Sequence, residues 1–390
     1  MAHYKMSDVV TEVNERENNP ANSKYERFVG LEHYVSGEVV IRNYGSTERL
    51  ESTMKVFQAG DILVARRNVY LKRASTVDFD GLTSGDSIVL RAKDPDIGRI
   101  LPFVLNTDAF WDFADQYSDG TMSKRLSPKT LMTFEFDLPD GEELSKLADI
   151  LWAANDTRES YQALLKQADE LVKSQFIELF GDPINNELNW PRKQLQHLVS
   201  ADCSISYGIV KTGDDVPGGI PVFRPVDIVG NVPAIADLKR TTAEISAQYK
   251  RTLLKGRELL ITVRANIGDT CIIGEEFAGC NVGRGIVPIR LNEDIISLEF
   301  LKGQMDFDSM SQHIKSLAKG ATLIQLNMED LRMIEFIVPP IELQNRYVGI
   351  LQQLDKSKYV AYQSTLFLEK LVKYELQSLF QEECICSLKM

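Results

Sequence analysis

Cysteine is scarce in this 390-residue chain. The five present (Cys203, Cys271, Cys280, Cys384, Cys386) are odd in number, lie in the second half and form no CxxC pair. That usage fits reduced thiols better than a disulfide framework. The four histidines (His3, His33, His197, His313) are scattered, and no His/Cys cluster has ligand spacing, so no metal site is expected. No run approaches the ~20 apolar residues of a membrane span, and MAHYKMSDVVTEVNEREN at the N-terminus lacks the apolar core of a signal peptide. A cytoplasmic chain without membrane association is the expectation.

Catalytic signatures are missing too. No GxxxxGK[ST] loop argues against nucleotide hydrolysis, and neither an NPP[YF] or DPP[YF] tetrapeptide nor an FxGxG-type methyl-donor signature occurs. VGRG (282–285) and SGDS (84–87) read as turns between strands rather than phosphate cradles. No enzymatic activity is expected of this chain. Positive charge is also short: the net charge is −12, divided as −5 over residues 1–140, −4 over 141–180, −3 over 181–340 and 0 over 341–390. No segment is globally basic, yet a basic face can coexist with an acidic remainder.

What is present is a repeat. GTMSKRLSPKTLMTFEFDLP (120–139) and GATLIQLNMEDLRMIEFIVPP (320–340) align without a gap at an offset of 200, sharing Gly120/Gly320, Leu126/Leu326, Leu131/Leu331, Glu135/Glu335, Phe136/Phe336 and Pro139/Pro339. The register continues to LVKSQFIELF (171–180) against LVKYELQSLF (371–380). Upstream, GDILVARRN (60–68) resembles GRELLITVRAN (256–266), and GLTSGDSIVLR (81–91) resembles GCNVGRGIVPIR (279–290), with small gaps. A period this long marks duplicated domains rather than a solenoid. Each copy is a variable globular part followed by a more constant tail.

The tails read as helices. Alternating steps of three and four place Leu144, Leu147, Leu151, Ala154, Arg158, Tyr161, Leu165, Ala168, Val172, Gln175 and Leu179 on one seam, a coiled-coil stripe. The second copy gives Gln344, Tyr347, Leu351, Leu354, Lys358, Ala361, Thr365, Leu368, Val372, Glu375 and Leu379. Pro139 and Pro339–Pro340 set the starts, and Gly181 ends the first helix. At ~1.5 Å per residue such helices are about 60 Å long. Each stripe needs a cover, either its own globular domain or the other copy. An antiparallel pair is expected, since a pseudo-twofold relation puts the globular parts at opposite ends of a rod.

The globular parts read as mixed α and β. DILVA (61–65), SIVLR (87–91), LLITV (259–263), TCIIG (270–274) and GIVPIR (285–290) are strand-like, with short helices at 101–116 and 298–314. The expected fold is α+β: two similar globular domains separated by two long helices forming an antiparallel coiled coil, with internal pseudo-twofold symmetry. The segments are 1–140, a helix over 141–182, 183–340, a helix over 341–382, and a tail at 383–390.

With GxxxxxLNMEDLRMIEFIVPPIELQ (320–344), GRELLITVRANIG (256–268), GDILVARRN (60–68) and LVKSQFIELFGDP (171–183), essentially the whole chain resembles the specificity (S) subunits of type I restriction-modification enzymes. The resemblance implies two target-recognition domains, each reading one half of a split site in double-stranded DNA, and helices that set the gap. It implies two methyltransferase (M) subunits docked on the chain, with S-adenosylmethionine bound by them. Restriction (R) subunits, where present, would bring ATP and magnesium; this chain itself would bind no cofactor. The first copy departs from the pattern: the loop around Arg66 and Arg67 lacks the glycine found after Asn266, and Asp140-Gly141 replaces the second proline and following hydrophobe. Two other readings stay open, a specificity subunit of another restriction type with a fused methylase-nuclease partner, and a coiled-coil scaffold that does not touch DNA.

Phosphate contacts need cations and base edges need forked or amide side chains, arginine suiting guanine and asparagine adenine. The acid-free run VARRNVYLKR offers Arg66, Arg67, Tyr70, Lys72 and Arg73, and YKRTLLKGR with VRAN offers Lys250, Arg251, Lys255, Arg257, Arg264 and Asn266. Lys124, Arg125, Arg224, Arg284 and Lys319 complete the candidates.

Overall fold

The computed structural model describes residues 1–120, 123–228, 232–320 and 324–377. The chain forms two compact units, one of Met1–Leu164 with the chain from Val360 onward, the other of Leu165–Tyr359. The division therefore falls within the two long helices rather than at their ends.

In the first unit, β1 (Ile62–Ala65) pairs antiparallel with β2 (Ala74–Thr76) and with β3 (Ser87–Ala92), and Val10–Glu12 completes the sheet. All four residues of β1 are buried. Because side chains alternate across a strand, Ile62 and Val64 enter one core with Phe110 and Trp111, while Leu63 and Ala65 enter another with Val29 and Phe57. A continuous apolar run is what a strand covered on both faces requires. The apolar stretch at 101–116 spans two helices, α1 (Pro95–Val104) and α2 (Asp108–Tyr117), because Thr107 stops the first and caps the second, its Oγ1 accepting from the Phe110 N–H at 3.3 Å. The long helix α3 follows (Gly141–Phe180, 40 residues), ended by Gly181 at φ +71°.

The second unit repeats this plan. β4 (Glu258–Thr262) pairs antiparallel with β5 (Thr270–Ile273) and β6 (Ile286–Ile289). Leu259 and Ile261 face one core, Leu260 another. Helices α4 (Leu298–Asp306) and α5 (Asp308–Ser316) precede the second long helix, α6 (Ile341–Gln377, 37 residues). Further pairings recur: Ala2–Lys5 with Glu135–Leu138 matches Arg192–Gln194 with Glu335–Ile337, and the parallel pair Arg27–Val29 with Gly81–Thr83 matches Ile220–Phe223 with Asn281–Val282. Besides the two-stranded pair that each has, the copies differ in sheet size among the described residues, five and four strands in the first against three and three in the second.

An ion pair is duplicated with the fold. Asp61, 1% exposed and one residue before β1, receives Arg91 Nε at 2.7 Å; Glu258, fully buried at the start of β4, receives Arg290. Each carboxylate also accepts backbone N–H groups, from Gln58 in the first case and from Lys255 and Gly256 in the second, so the turn into the strand is held by the same group.

Within the first unit the early part of α3 (Leu144, Leu147, Leu151) shares a core with Leu376 near the end of α6. Within the second, Phe176 and Phe180 from the end of α3 pack on Tyr347 near the start of α6, ring centroids 5.5 and 5.7 Å apart, and Lys358 pairs with Asp169. The helices thus run antiparallel. Leu144, Leu147, Leu151, Ala154, Tyr161, Leu165, Ala168, Val172 and Leu179 of α3 are all buried or half-buried, as are Tyr347, Leu351, Leu354, Ala361, Leu368 and Val372 of α6; Leu379 lies outside the described residues. The polar breaks in the stripe are matched: Arg158 meets Glu38 and Asn155, and Gln175 donates to Glu178 at 2.9 Å. Two further ties stand 200 residues apart, Lys373 to Asp108 at 2.9 Å and Lys173 to Asp308 at 3.3 Å. Hydrogen bonds first from Lys72 and then from Lys373 hold the Asp108 carboxyl below its ordinary range.

Removing Arg290 strands the buried Glu258 carboxylate. Arg290→Met is expected to cost about 3–5 kcal/mol. Arg91→Met is expected to cost less, because that guanidinium is 41% exposed and its removal opens the buried Asp61 carboxylate to water, whereas Arg290 is itself covered. Urea unfolding of the two variants checks the order; equal costs would contradict the burial argument.

Candidate nucleic-acid interface

Both central strands leave their sheets at an arginine. In the first unit the Arg66 N–H donates to the Asp86 carbonyl (2.9 Å) and Leu126 donates to Arg66 (2.8 Å), while Arg67 makes an isolated antiparallel bridge to Arg125. In the second, Val263 donates to Gly285 (2.8 Å) and Leu326 donates to Val263 (3.0 Å), while Arg264 bridges Gln325. These hydrogen bonds make Arg67 equivalent to Arg264, Arg125 to Gln325, and Asp86 to Gly285. The chain then turns through a left-handed residue in both copies, Asn68 (φ +57°) and Ala265 (φ +60°). Asparagine tolerates that region, but alanine pays roughly 1–2 kcal/mol for it, so the surroundings impose the turn after Arg264. The bridged residues also close matching hairpins, Asp119 with Arg125 and Lys319 with Gln325.

Side chains gather at this end of the first unit. Asp86 accepts from Arg125 Nη2 at 3.1 Å and lies 3.9 Å from Arg67 Nη1, whose Nε donates to Ser123 Oγ at 3.4 Å. Arg67 and Arg125 remain about half exposed. Arg73 donates to the Leu31 and Arg67 carbonyls at 3.0 Å each. Arg66 Nε is buried without a hydrogen-bond partner. Nearby Lys55 has its pKa lowered, by burial first, against the opposing pull of Glu12, with Arg66 and Arg16 lowering it further. Tyr70 is 65% exposed. Lys72 and Lys124 are engaged elsewhere, with Asp108 at 2.9 Å and Asp115 at 2.6 Å.

In the second unit the guanidinium of Arg264 donates to Gln325 Oε1. A Cβ placed on Gly285 would sit 2.5 Å from Pro225 and 3.6 Å from the Arg264 Cβ, so this glycine lets the three segments close up. Arg284, beside it, is exposed, and Arg224 pairs with Asp227 at 2.8 Å. Asn266 is exposed just past the turn; Lys250 and Arg251 are exposed in a one-turn 3-10 segment. Lys319 pairs with Asp330 at 3.0 Å. Lys255 and Arg257 flank the opposite end of β4, neutralised by Asp202 and by Glu293 with Glu299.

The structure therefore brings together Arg66, Arg67, Arg73 and Arg125 in one unit, and Arg264, Arg284 and the Arg224–Pro225 turn in the other. It does not bring Lys255 and Arg257 to the same place. Sequence reasoning passed over Asp86 and Gln325, although the gapless repeat already set Gln325 against Arg125. Among the described residues, no group of three or more His, Cys, Asp and Glu could hold a metal ion, and no helix is long and apolar enough to cross a membrane.

Comparison with known proteins is consistent along the chain. Residues 209–360 match the type I restriction modification DNA specificity domain. The chain is 25% identical over 254 residues to the type I restriction enzyme EcoBI specificity subunit of Escherichia coli, an alignment covering 59% of this chain and 53% of that relative, about half its length. Its fold matches the type I restriction-modification system S subunit from M. genitalium (TM-score 0.59, 15% identity, 96% of this chain and 95% of that one). It also matches a chain from a study of complex assembly and conformational transition of the type I R-M system (TM-score 0.54, 20% identity, 98% of each chain). The chain is thus similar to the specificity subunits of type I restriction-modification enzymes, and its residues 209–360 match the DNA specificity domain of that family.

Proposed function

We propose that this chain is the DNA-recognition subunit of a type I restriction-modification complex, non-catalytic itself and working in the cytoplasm. Each globular part reads one half of a bipartite site in double-stranded DNA, and the paired helices set the gap and dock two methyltransferase subunits. Those partners would bind S-adenosylmethionine; restriction subunits, if the system has them, would use ATP and magnesium. The observation that carries this reading is the duplication: each central strand ends in an arginine at an equivalent bridge, half exposed at Arg67 and partly buried at Arg264, and each copy continues into a long helix that covers the other. Two reading domains on one face of B-DNA stand roughly 34–36 Å apart, within the reach of helices about 60 Å long. The acidic net charge is compatible with this, because many carboxylates neutralise cations such as Lys255 and Arg257 at the end of β4 opposite Arg264.

Methylome sequencing of the host with and without the gene is expected to yield an asymmetric motif in two halves; a single contiguous or palindromic motif would overturn the reading. Removing one matched heptad from the middle of α3 and of α6 is expected to shorten the spacer and leave both half-sites unchanged, and a changed half-site would count against the helices as a ruler. Specific binding should weaken steeply with salt. Arg284→Ala and Arg251→Ala each lower the slope of log K against log salt by about 1 if they meet phosphates, whereas Lys255→Ala leaves it unaltered.

A further inference from the structure

The two copies share one arginine at the reading end and differ in what holds it. Arg67 and Arg264 are equivalent by their backbone bridges. Ser123 Oγ accepts from Arg67 Nε at 3.4 Å, while Asp86, hydrogen-bonded to Arg125 at 3.1 Å, stands 3.9 Å from Arg67 Nη1; around Arg264 the positions of Asp86 and Arg125 hold Gly285 and Gln325. A carboxylate cannot simply be restored at Gly285, since Pro225 occupies the space its Cβ would need. Gln325 supplies the acceptor instead, from the hairpin rather than from the turn before β6.

On a surface that must approach phosphates, a carboxylate such as Asp86 opposes affinity through charge. Its place between two half-exposed guanidiniums makes sense if orientation is its role: an acceptor on one side of a guanidinium leaves the remaining N–H donors aimed outward. The outward pair matches the O6 and N7 acceptors of guanine in the major groove. The Gln325 carboxamide spends one lone pair of its Oε1 on Arg264 and turns its Nε2 to Asn327 Oδ1 at 3.4 Å, which leaves the arginine as the forked donor of the second domain.

Resting on the function proposed above, we infer that Arg67 and Arg264 each read a guanine, one in each half-site, and that Asp86 and Gln325 are the positioning residues that aim them. The asymmetry of the target is then written in part at the equivalent pairs Asp86/Gly285 and Arg125/Gln325.

The test is the host methylome, together with duplex-binding measurements on the full chain assembled with its methyltransferase partners. The wild-type motif is expected to contain guanine in both halves. Arg264→Ala relaxes one guanine position in one half-site by roughly 5- to 150-fold and leaves the other half-site unchanged. Arg264→Lys, which keeps the charge and loses the fork, relaxes the same position while retaining binding. Asp86→Asn relaxes one position in the opposite half-site while affinity for a non-specific duplex holds or rises, a split that mere loss of structure would not produce, and Asp86→Glu restores the preference. A bipartite wild-type motif with no guanine in one half, or an unchanged motif in Arg264→Lys and Asp86→Asn, overturns this assignment and leaves the proposed function standing. A wild-type motif that is not bipartite overturns both.

Discussion

The antiparallel seam between α3 and α6 is the constraint on which everything else depends. Each long helix carries an apolar stripe that its own length cannot cover, and burying a single leucine is worth about 1.5–3 kcal/mol. Leu151, Ala154 and Ala168 on one helix and Tyr347 and Ala361 on the other are nearly inaccessible to water. Because the helices run in opposite directions, each globular part packs on the early half of one and the late half of the other. That is why the compact units divide in the middle of both helices. The ties Lys373–Asp108 and Lys173–Asp308 follow from the same arrangement: each globular part is anchored to the helix belonging to the other copy.

A second constraint acts inside each globular part. A strand with both faces buried needs both of its ends fixed, and in both copies the two ends are treated alike. The entering end is fixed by a buried carboxylate, Asp61 or Glu258, gripping an arginine from the neighbouring strand. The leaving end carries an arginine whose backbone is pinned by a bridge and whose guanidinium stays accessible. With the first end locked, the register of the strand, and hence the position of Arg67 or Arg264, has little freedom.

Much of this was legible in the residues. The offset of 200 and the three-four stepping of leucines contain the duplication and the helix pair, since both are periodic signals that survive without knowledge of contacts. DILVA and LLITV declared strands by composition, and their burial on both faces came from the structure. What could not be read was which cations share a surface. VARRN and YKRTLLKGR look like equal basic runs, yet Lys255 and Arg257 stand at the far end of β4 from Arg264, because strand direction separates residues that composition lumps together. The helix break at Thr107 is marked by the polar Asn106-Thr107-Asp108 within 101–116, but its exact position rests on one hydroxyl capping one N–H. SGDS and VGRG read correctly as turns; that they place Asp86 and Gly285 beside the two arginines depends on pairing across the sheet, which a linear reading does not supply.

Duplication followed by divergence explains why the differences fall where they do. Residues that close the seam or seat the strand act within a shared framework, and changing one exposes apolar surface or strands a buried charge, so Asp61 and Glu258 kept their carboxylates and their arginine partners. The side chains of Asp86, Arg125 and Gln325 beside Arg67 and Arg264 are partly exposed and belong to no hydrophobic core, and Gly285 has no side chain to bury. Exchanging Arg125 for Gln325 leaves the backbone bridge intact, because the bridge is made by main-chain groups, and exchanging Asp86 for Gly285 leaves the hydrogen bond from Arg66 or Val263 intact for the same reason. Main-chain pairing holds the position while side chains vary, which permits two copies of one fold to present different chemistry at a fixed place.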